Sequence, residues 1–422
     1  MVATSSLPRA GERTVRTLPA RTRLAVTGAR LAAAVSRGFG AGDGGMIGGL
    51  VALKLDPAAL RRLGHGRVVV LVTGTNGKTT TALMLSRILE SRGPVALNAD
   101  GANMPAGVAA ALAARPDAPV AVLEVDENYV PYVAEQLRPA CLVLLNLSRD
   151  QLDRTGEVRA LERELRAAVS RLPETTVVAN CDDPLIASVG AASERPVWVA
   201  AGQGWHADAL ACARCGQAVR REGADWDCVC GLARPVPGWT LDGDVLTTAD
   251  GHELTLGLRL PGRANAANAA AAVAAAAQLG VTPLAAVARL RSIGDVAGRY
   301  RRTAVGAHAA RLLLAKNPAG WRETLPLLDP RAPVVIAVNS READGRDVSW
   351  LWDVPFEQLR GRPVVATGER ASDLAVRLLY AEVPHTTSRD PLAALADLPP
   401  GPVELVANYT AFRNLKRRLG DG

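Results

Sequence analysis

The chain has 422 residues, more than one hydrophobic core accommodates, so two or three domains are expected. Hydrophobic residues make up 48% and charged residues 22%, the balance of a soluble globular protein, and an aromatic content of 4% means that the cores must be aliphatic. No uncharged apolar run reaches about 18 residues and the start lacks the apolar block of a secretory signal, which argues against a membrane-spanning or exported chain and for a cytoplasmic one.

The net charge of +7 is concentrated at the beginning, where residues 1–40 hold Arg9, Arg13, Arg16, Arg21, Arg23, Arg30 and Arg37 against Glu12 alone. Such a start fits an organelle transit peptide, a basic arm for anionic lipid at the inner face of the membrane, or a solvated tail leading into a helix over 22–37. No aromatics are interleaved with these arginines, so nucleic acid is not an expected partner. From Arg67 the pattern becomes strand, glycine-rich turn, helix: a β-branched run over 68–72, the turn, then helical sequence from Lys78 to about Ser91. Further strands are predicted at 120–125, 141–145 and 176–179, each followed by helix-compatible sequence, as in a doubly wound parallel sheet. The alanine-rich stretch 265–278 contains no Gly or Pro and reads as a packed helix.

A cysteine-rich, low-periodicity segment over 205–235 interrupts this domain. Cys212-x2-Cys215 and Cys228-x-Cys230 form a ribbon-like set of four thiolates, which suits tetrahedral, structural Zn²⁺, although the second knuckle is one residue short of the usual spacing. Cys141 and Cys181 have no neighbouring histidine pattern and read as packing residues. A second alternating series follows, with strands expected at 311–315, 334–338, 363–367 and 403–407. The predicted organisation is thus a basic arm and helix over 1–49, an α/β domain over 50–297 carrying the insertion, and a smaller Rossmann-like α/β domain over 298–422.

The glycine-rich turn is Thr73-Gly74-Thr75-Asn76-Gly77-Lys78-Thr79-Thr80. Counting back from Gly77 puts Val72 where an ordinary P-loop has its first glycine. The compact form resembles the Mur ligases and folylpolyglutamate synthases, in which backbone N–H groups and a helix N-terminus cradle the phosphates of ATP. That resemblance implies that residues 74–80 bind nucleotide, with Lys78 on the β/γ-phosphates and Thr79 on Mg²⁺. Glu124, Asp126 and Glu127, at the end of a neighbouring strand, are placed to serve the metal, and the Mur pattern favours Glu124. It also places Asn180 and Asp183 in the nucleotide-side turn, Asn268 at a nucleotide-contacting helix start, and Arg299 on the ATP phosphates. Gln151 stands where the family commonly has a histidine that helps hold a second metal.

Only about 50 residues precede the ATP domain, so the uridine-nucleotide domain of Mur peptide ligases is not expected here. With the four-cysteine insertion and the segments Lys316–Gly320, Ala343–Asp353, Thr367–Ala371 and Asn408–Phe412, the chain from about 40 onward resembles the MurT family, the Mur-ligase-like subunits of lipid II isoglutaminyl synthase. The resemblance implies that ATP activates the α-carboxylate of D-glutamate in lipid II and that ammonia displaces phosphate to give D-isoglutamine. The ammonia would come from a GatD-like class I glutaminase, since neither remaining cysteine sits beside a histidine. An Asp of the 344–353 loop would complete the partner's Cys-His pair, with Asp347 preferred and Asp353 next. Trp350 and Trp352 suit either interface anchors or a core pair. The other reading of the same loop is a Mur- or folylpolyglutamate-type ligase that adds an amino acid.

Overall fold

A computed structural model describes residues 18–38, 45–98, 101–149, 158–202, 205–294 and 300–420. By contact density the chain divides into two units. The first comprises 1–147, 158–259 and 263–293; the second comprises 148–157, 260–262 and 294–422. Gln151 and Arg299 lie outside the described residues.

The first unit opens with a helical hairpin, α1 (Ala20–Gly38) and α2 (Gly45–Leu55), followed by α3 (Ala59–Gly64). The chain then alternates through β1 (Val68–Thr73), α4 (Lys78–Leu89), β2 (Val95–Leu97), α5 (Pro105–Ala114), β3 (Val120–Glu124), α6 (Val130–Leu137) and β4 (Cys141–Leu144). After these come α7 (Val158–Val169), β5 (Thr176–Asn180), α8 (Pro184–Gly190) and β6 (Pro196–Ala200). The inserted ribbon contributes the small hairpin β7 (Arg220–Glu222) and β8 (Asp225–Asp227). The chain returns through β9 (Trp239–Asp242), β10 (Val245–Thr247) and β11 (Glu253–Thr255), then α9 (Arg263–Gln278) and α10 (Pro283–Leu290).

The main sheet has the order β11-β10-β9-β6-β5-β4-β1-β3-β2. From β2 to β9 all pairings are parallel; β9, β10 and β11 extend the edge in antiparallel fashion. Strands buried on both faces need apolar residues throughout rather than in alternation, and β1, β3 and β4 are such runs. The chain leaves β1 toward β2 on one side and enters β4 on the other. The carboxyl end of β1 is therefore the topological switch point, where doubly wound sheets bind ligands.

In the second unit β12 (Tyr300–Val305), β13 (His308–Leu314), α11 (Pro318–Thr324), β14 (Val334–Ala337), β15 (Val364–Thr367), α12 (Ala371–Tyr380), β16 (His385–Thr387), β17 (Gly401–Ala407) and α13 (Tyr409–Arg418) build a sheet of order β12-β13-β17-β14-β15-β16. Only its β12–β13 pair is antiparallel among the described residues. One face is packed by Trp321, Phe356, Leu374 and Leu378, the other by Phe412, Leu415 and Leu395. Trp321 meets Phe356 edge to face at 5.0 Å, a favoured aromatic geometry.

Candidate functional site

The strand-to-helix connection after β1 turns at Gly77, which adopts φ +89 and, as the N-cap of α4, brings no side chain of its own to the helix start at Lys78. The positive end of a helix dipole suits an anion. Neighbouring backbone and side chains shape the turn. The Asn146 amide bridges to it twice, Oδ1 accepting from Asn76 N at 2.9 Å and Nδ2 donating to Asn76 O at 2.9 Å, while the Asn146 carbonyl accepts from Thr75 N at 3.0 Å. Asn268, at the start of α9, lies so close that a Cβ on Gly77 would come within 2.3 Å of its Oδ1. A side chain at Gly77 is thus excluded by both sterics and backbone conformation.

Lys78 is buried, and its ammonium donates to Gly74 O at 2.6 Å and to Glu127 Oε2 at 3.0 Å. Of the three acidic residues after β3, Glu127 is therefore the one that pairs with the loop lysine. Asp126 instead caps its own turn, accepting from Asn128 N at 3.1 Å. Glu124 pairs in register with Val72, just before the loop, and is 2% exposed. Asn103 donates to its Oε1 at 3.2 Å, whereas its Oε2 is buried without a hydrogen-bond partner. A buried carboxylate oxygen of this kind suits a cation, so Glu124, together with the half-buried Thr79, fits Mg²⁺ as a hard, oxygen-seeking ion.

The turn Asn180–Pro184, expected from the sequence to face the nucleotide, follows β5. Asp183 is fully buried, and its two oxygens accept from Leu147 N, Leu185 N and Ile186 N at 2.9, 2.9 and 3.4 Å. Burial nevertheless raises its pKa to about 6. Its carboxylate thus acts on the protein's own backbone, capping α8 and fixing the segment after β4. Asn180 is the more open of the pair, and its Nδ2 donates to Gly202 O at 3.3 Å.

The four ribbon cysteines come together with all their Sγ atoms within 4.8 Å of one another, Cys212 to Cys230 at 3.6 Å and Cys215 to Cys228 at 3.3 Å. Tetrahedral Zn²⁺ with bonds of about 2.3 Å needs sulfurs roughly 3.8 Å apart, so the set fits that ion. The short knuckle is accommodated by a tighter turn: Gly216 N bonds to Cys212 O, four residues back, but Gly231 N bonds to Cys228 O, three residues back. Both glycines are left-handed, at φ +79 and +87. The ribbon is fastened to the nucleotide-side turn. Trp226 Nε1 donates to Cys181 O at 3.0 Å, and Arg234 Nε to Asp182 Oδ1 at 2.7 Å. Cys141 and Cys181 are buried thiols whose pKa values burial pushes up to about 12, which makes them inert packing groups.

In the second unit the segments Lys316–Gly320, Ala343–Asp353, Thr367–Ala371 and Asn408–Phe412 follow the carboxyl ends of parallel strands or lie between them. Asn339 and Asn408 exchange hydrogen bonds, Asn408 Oδ1 accepting from Asn339 N at 3.0 Å and its Nδ2 donating to Asn339 O at 2.7 Å. Asp344 is 8% exposed and accepts from Thr410 N at 2.8 Å, from the Thr410 hydroxyl and from Arg341 N. It anchors the loop. Asp347 is exposed and bonds within the loop, to Ser349 N at 2.8 Å and Ser349 Oγ at 3.0 Å. Asp353 is partly exposed and lies 3.5 Å from Arg149. The two tryptophans separate: Trp350 joins the core, while Trp352 is 53% exposed against Tyr380 and the Arg377 guanidinium.

The sequence assigns no role to Asn98 or Asn103, and Asn146 enters it only as the first residue of the segment that carries Gln151. Asn98 brackets Glu124, donating to its carbonyl at 2.7 Å and accepting from its N–H at 2.8 Å. Isolated asparagines carry no spacing signal; what marks these is their place at the strand ends around the switch point.

A phosphate loop at the switch point of a doubly wound sheet, with Lys78, Glu124 and Asn268 around it, defines a Mur-type ligase. Residues 72–276 match the Mur ligase middle domain, and 314–412 match the MurT ligase C-terminal family. The chain is 32% identical over 379 residues to the lipid II isoglutaminyl synthase (glutamine-hydrolyzing) subunit MurT of Streptococcus pneumoniae, covering 81% of this chain and 83% of that protein. With the MurT subunit of Staphylococcus aureus it shares 29% identity over 423 residues, 93% and 96% of the two chains. It therefore belongs to the MurT family. Among solved structures, a pseudomurein peptide ligase type C from Methanothermus fervidus superposes with a TM-score of 0.65 at 21% identity, covering 84% of this chain and 79% of that one. MurF from Acinetobacter baumannii gives 0.64 at 20% identity, covering 87% and 80%.

Proposed function

We propose that the chain is the ligase subunit of a lipid II isoglutaminyl synthase. It would use ATP to amidate the α-carboxylate of D-glutamate in lipid II, with ammonia supplied by a glutaminase subunit. The observation that carries this reading is the pairing, in one chain, of the Lys78 phosphate loop with the MurT C-terminal segment. A carboxylate is a poor electrophile. Attack of its oxygen on the γ-phosphorus of ATP forms an acyl phosphate and releases ADP. Ammonia then attacks the carbonyl carbon, the C–N bond forms, the C–O bond to phosphate breaks, and the proton lost from nitrogen leaves with solvent or phosphate.

In this reading the start of α4 and the backbone of 74–77 would hold the phosphates, and Lys78 would leave Glu127 to meet the transferring group. Thr79 and Glu124 would hold Mg²⁺, which when bound neutralises phosphate charge. Asn268 and Asn180 would line the nucleotide, and Asp183 positions the turn. The four cysteines would bind structural Zn²⁺. Both leftover thiols are buried and protonated at neutral pH, which supports a separate GatD-like glutaminase as the ammonia source. Asp347 is our candidate to orient that partner's catalytic histidine, because Asp344 is consumed by its own loop and Asp353 faces Arg149.

The reading is tested by reconstitution with the glutaminase subunit, lipid II, ATP and Mg²⁺. Glutamine is expected to yield amidated lipid II and ADP together, and this chain alone is expected to do the same with free ammonium. Absence of amidation with both nitrogen sources would reject the proposal, and incorporation of a labelled amino acid would favour a peptide-adding ligase instead.

A further inference from the structure

The helical hairpin at the start of the first unit presents an apolar face that no other described residues cover. On α1 the buried residues Thr22, Ala25, Val26, Ala29 and Ser36 share one side. The opposite side carries Leu24, Leu31 and Val35, exposed by 70%, 63% and 58%. These recur at intervals of seven and four residues, one continuous stripe on a helix. Its partner α2 adds Ile47 and Leu50, exposed by 42% and 57%.

The two helices are locked together, so this face is preformed. A Cβ on Gly48 would meet Ala29 O at 2.7 Å, and one on Gly28 would touch Leu55 at 3.0 Å. Buried Asp56, at the end of the hairpin, accepts from Thr22 Oγ1 at 2.7 Å and from Arg62 at 2.9 Å. Beneath, α2 packs on α5, with Gly49 against the Ala106 backbone. Three exposed apolar side chains aligned on one face of α1 make a stripe rather than singly scattered residues.

Charge identifies the occupant. α1 carries Arg21, Arg23, Arg30 and Arg37, α2 carries Lys54, and α1, α2 and α5 contain no Asp or Glu. Two of these cations are anchored: Arg21 Nε donates to Leu55 O at 2.8 Å, and Arg30 Nη2 to Ala113 O at 3.1 Å. An apolar stripe flanked by arginines, with carboxylates excluded, is complementary to the headgroup and acyl boundary of an anionic bilayer. Among the described residues no helix is long and apolar enough to cross a membrane, so the contact would be in the plane of the surface.

We propose that the outer face of the α1–α2 hairpin is a membrane-docking surface for anionic phospholipid, with Leu24, Leu31 and Leu50 entering the acyl boundary. The proposal is independent of the catalytic reading, since it is tested without turnover. Full-length protein is expected to cosediment with vesicles of phosphatidylglycerol and phosphatidylcholine, weakly with phosphatidylcholine alone, and less as salt rises. Leu24→Ser with Leu31→Ser is expected to lower the partition coefficient about tenfold or more while melting temperature and ATP binding stay unchanged, because both side chains are solvent-exposed. Deleting residues 1–17 should leave most of the binding. Three results would overturn the proposal: no preference for anionic vesicles, binding that survives the double substitution but is lost with 1–17, or binding abolished when the glutaminase subunit is added, which would make the hairpin a protein interface.

Discussion

The phosphate loop of the first unit and the acidic loop of the second both follow parallel strands, yet they treat their charged groups in opposite ways. Asn146 fixes the phosphate loop by hydrogen bonds, Asn268 abuts Gly77, and the loop cation, Lys78, is buried and ion-paired with Glu127. In the acidic loop the buried carboxylate, Asp344, is the anchor, and the candidate functional one, Asp347, stands in solvent. A group that must act within a closed site is kept desolvated, where a charge is worth most. A group meant to act on another chain has to remain reachable until the partner covers it.

That contrast can be broken by substitution. Lys78→Ala is expected to lower amidation about a thousandfold with either glutamine or free ammonium, as followed by mass spectrometry of lipid II. Asp347→Asn should lower only the glutamine-driven reaction, by about a hundredfold, and spare the ammonium-driven one. Equal loss with both nitrogen sources would place Asp347 in the ligase chemistry instead. Asp344→Ala removes the acceptor for Thr410 N, the Thr410 hydroxyl and Arg341 N, and is expected to cost about 1–3 kcal/mol in urea unfolding of the second unit. Metal removal by a thiol-competent chelator, or Cys215→Ser, should release the ribbon from Cys181 and Asp182 and raise the KM for ATP several-fold with kcat little changed. The smallest expected effect is that of Trp226→Phe, which deletes one hydrogen bond to Cys181 O and should raise the same KM about twofold to fivefold.

Much of this was legible in the sequence where composition and period are strong. The runs at 68–72, 120–125, 141–145 and 176–179 are strands because only apolar, β-branched residues can fill a sheet covered on both faces. The short strands β2, β9, β10 and β11 span three or four residues, too few to show a period. Within the site, residue type and spacing pointed to the Lys78 loop and to the acidic cluster after β3. They could not say that Glu127 rather than Glu124 meets Lys78, because that depends on how the turn after β3 folds back. Nor could they separate Trp350 from Trp352, whose two-residue spacing reads as one face in a strand but as two environments in the 3₁₀ turn 349–353. In the acidic loop, three aspartates of one chemical type differ only in what lies across from them.

The alanine-rich helix α9 takes on a different meaning in this light. Residues Ala269 to Ala276 are buried almost without interruption, and methyl groups are the shortest ridges a helix can offer its neighbours. The helix acts as a gauge of thickness: its slender body sets how near Asn268 comes to Gly77, and the clearance there is smaller than one carbon atom. A run that looks like low complexity is in effect a tolerance, and even an added methylene far from any polar group would be felt at the Gly77 turn.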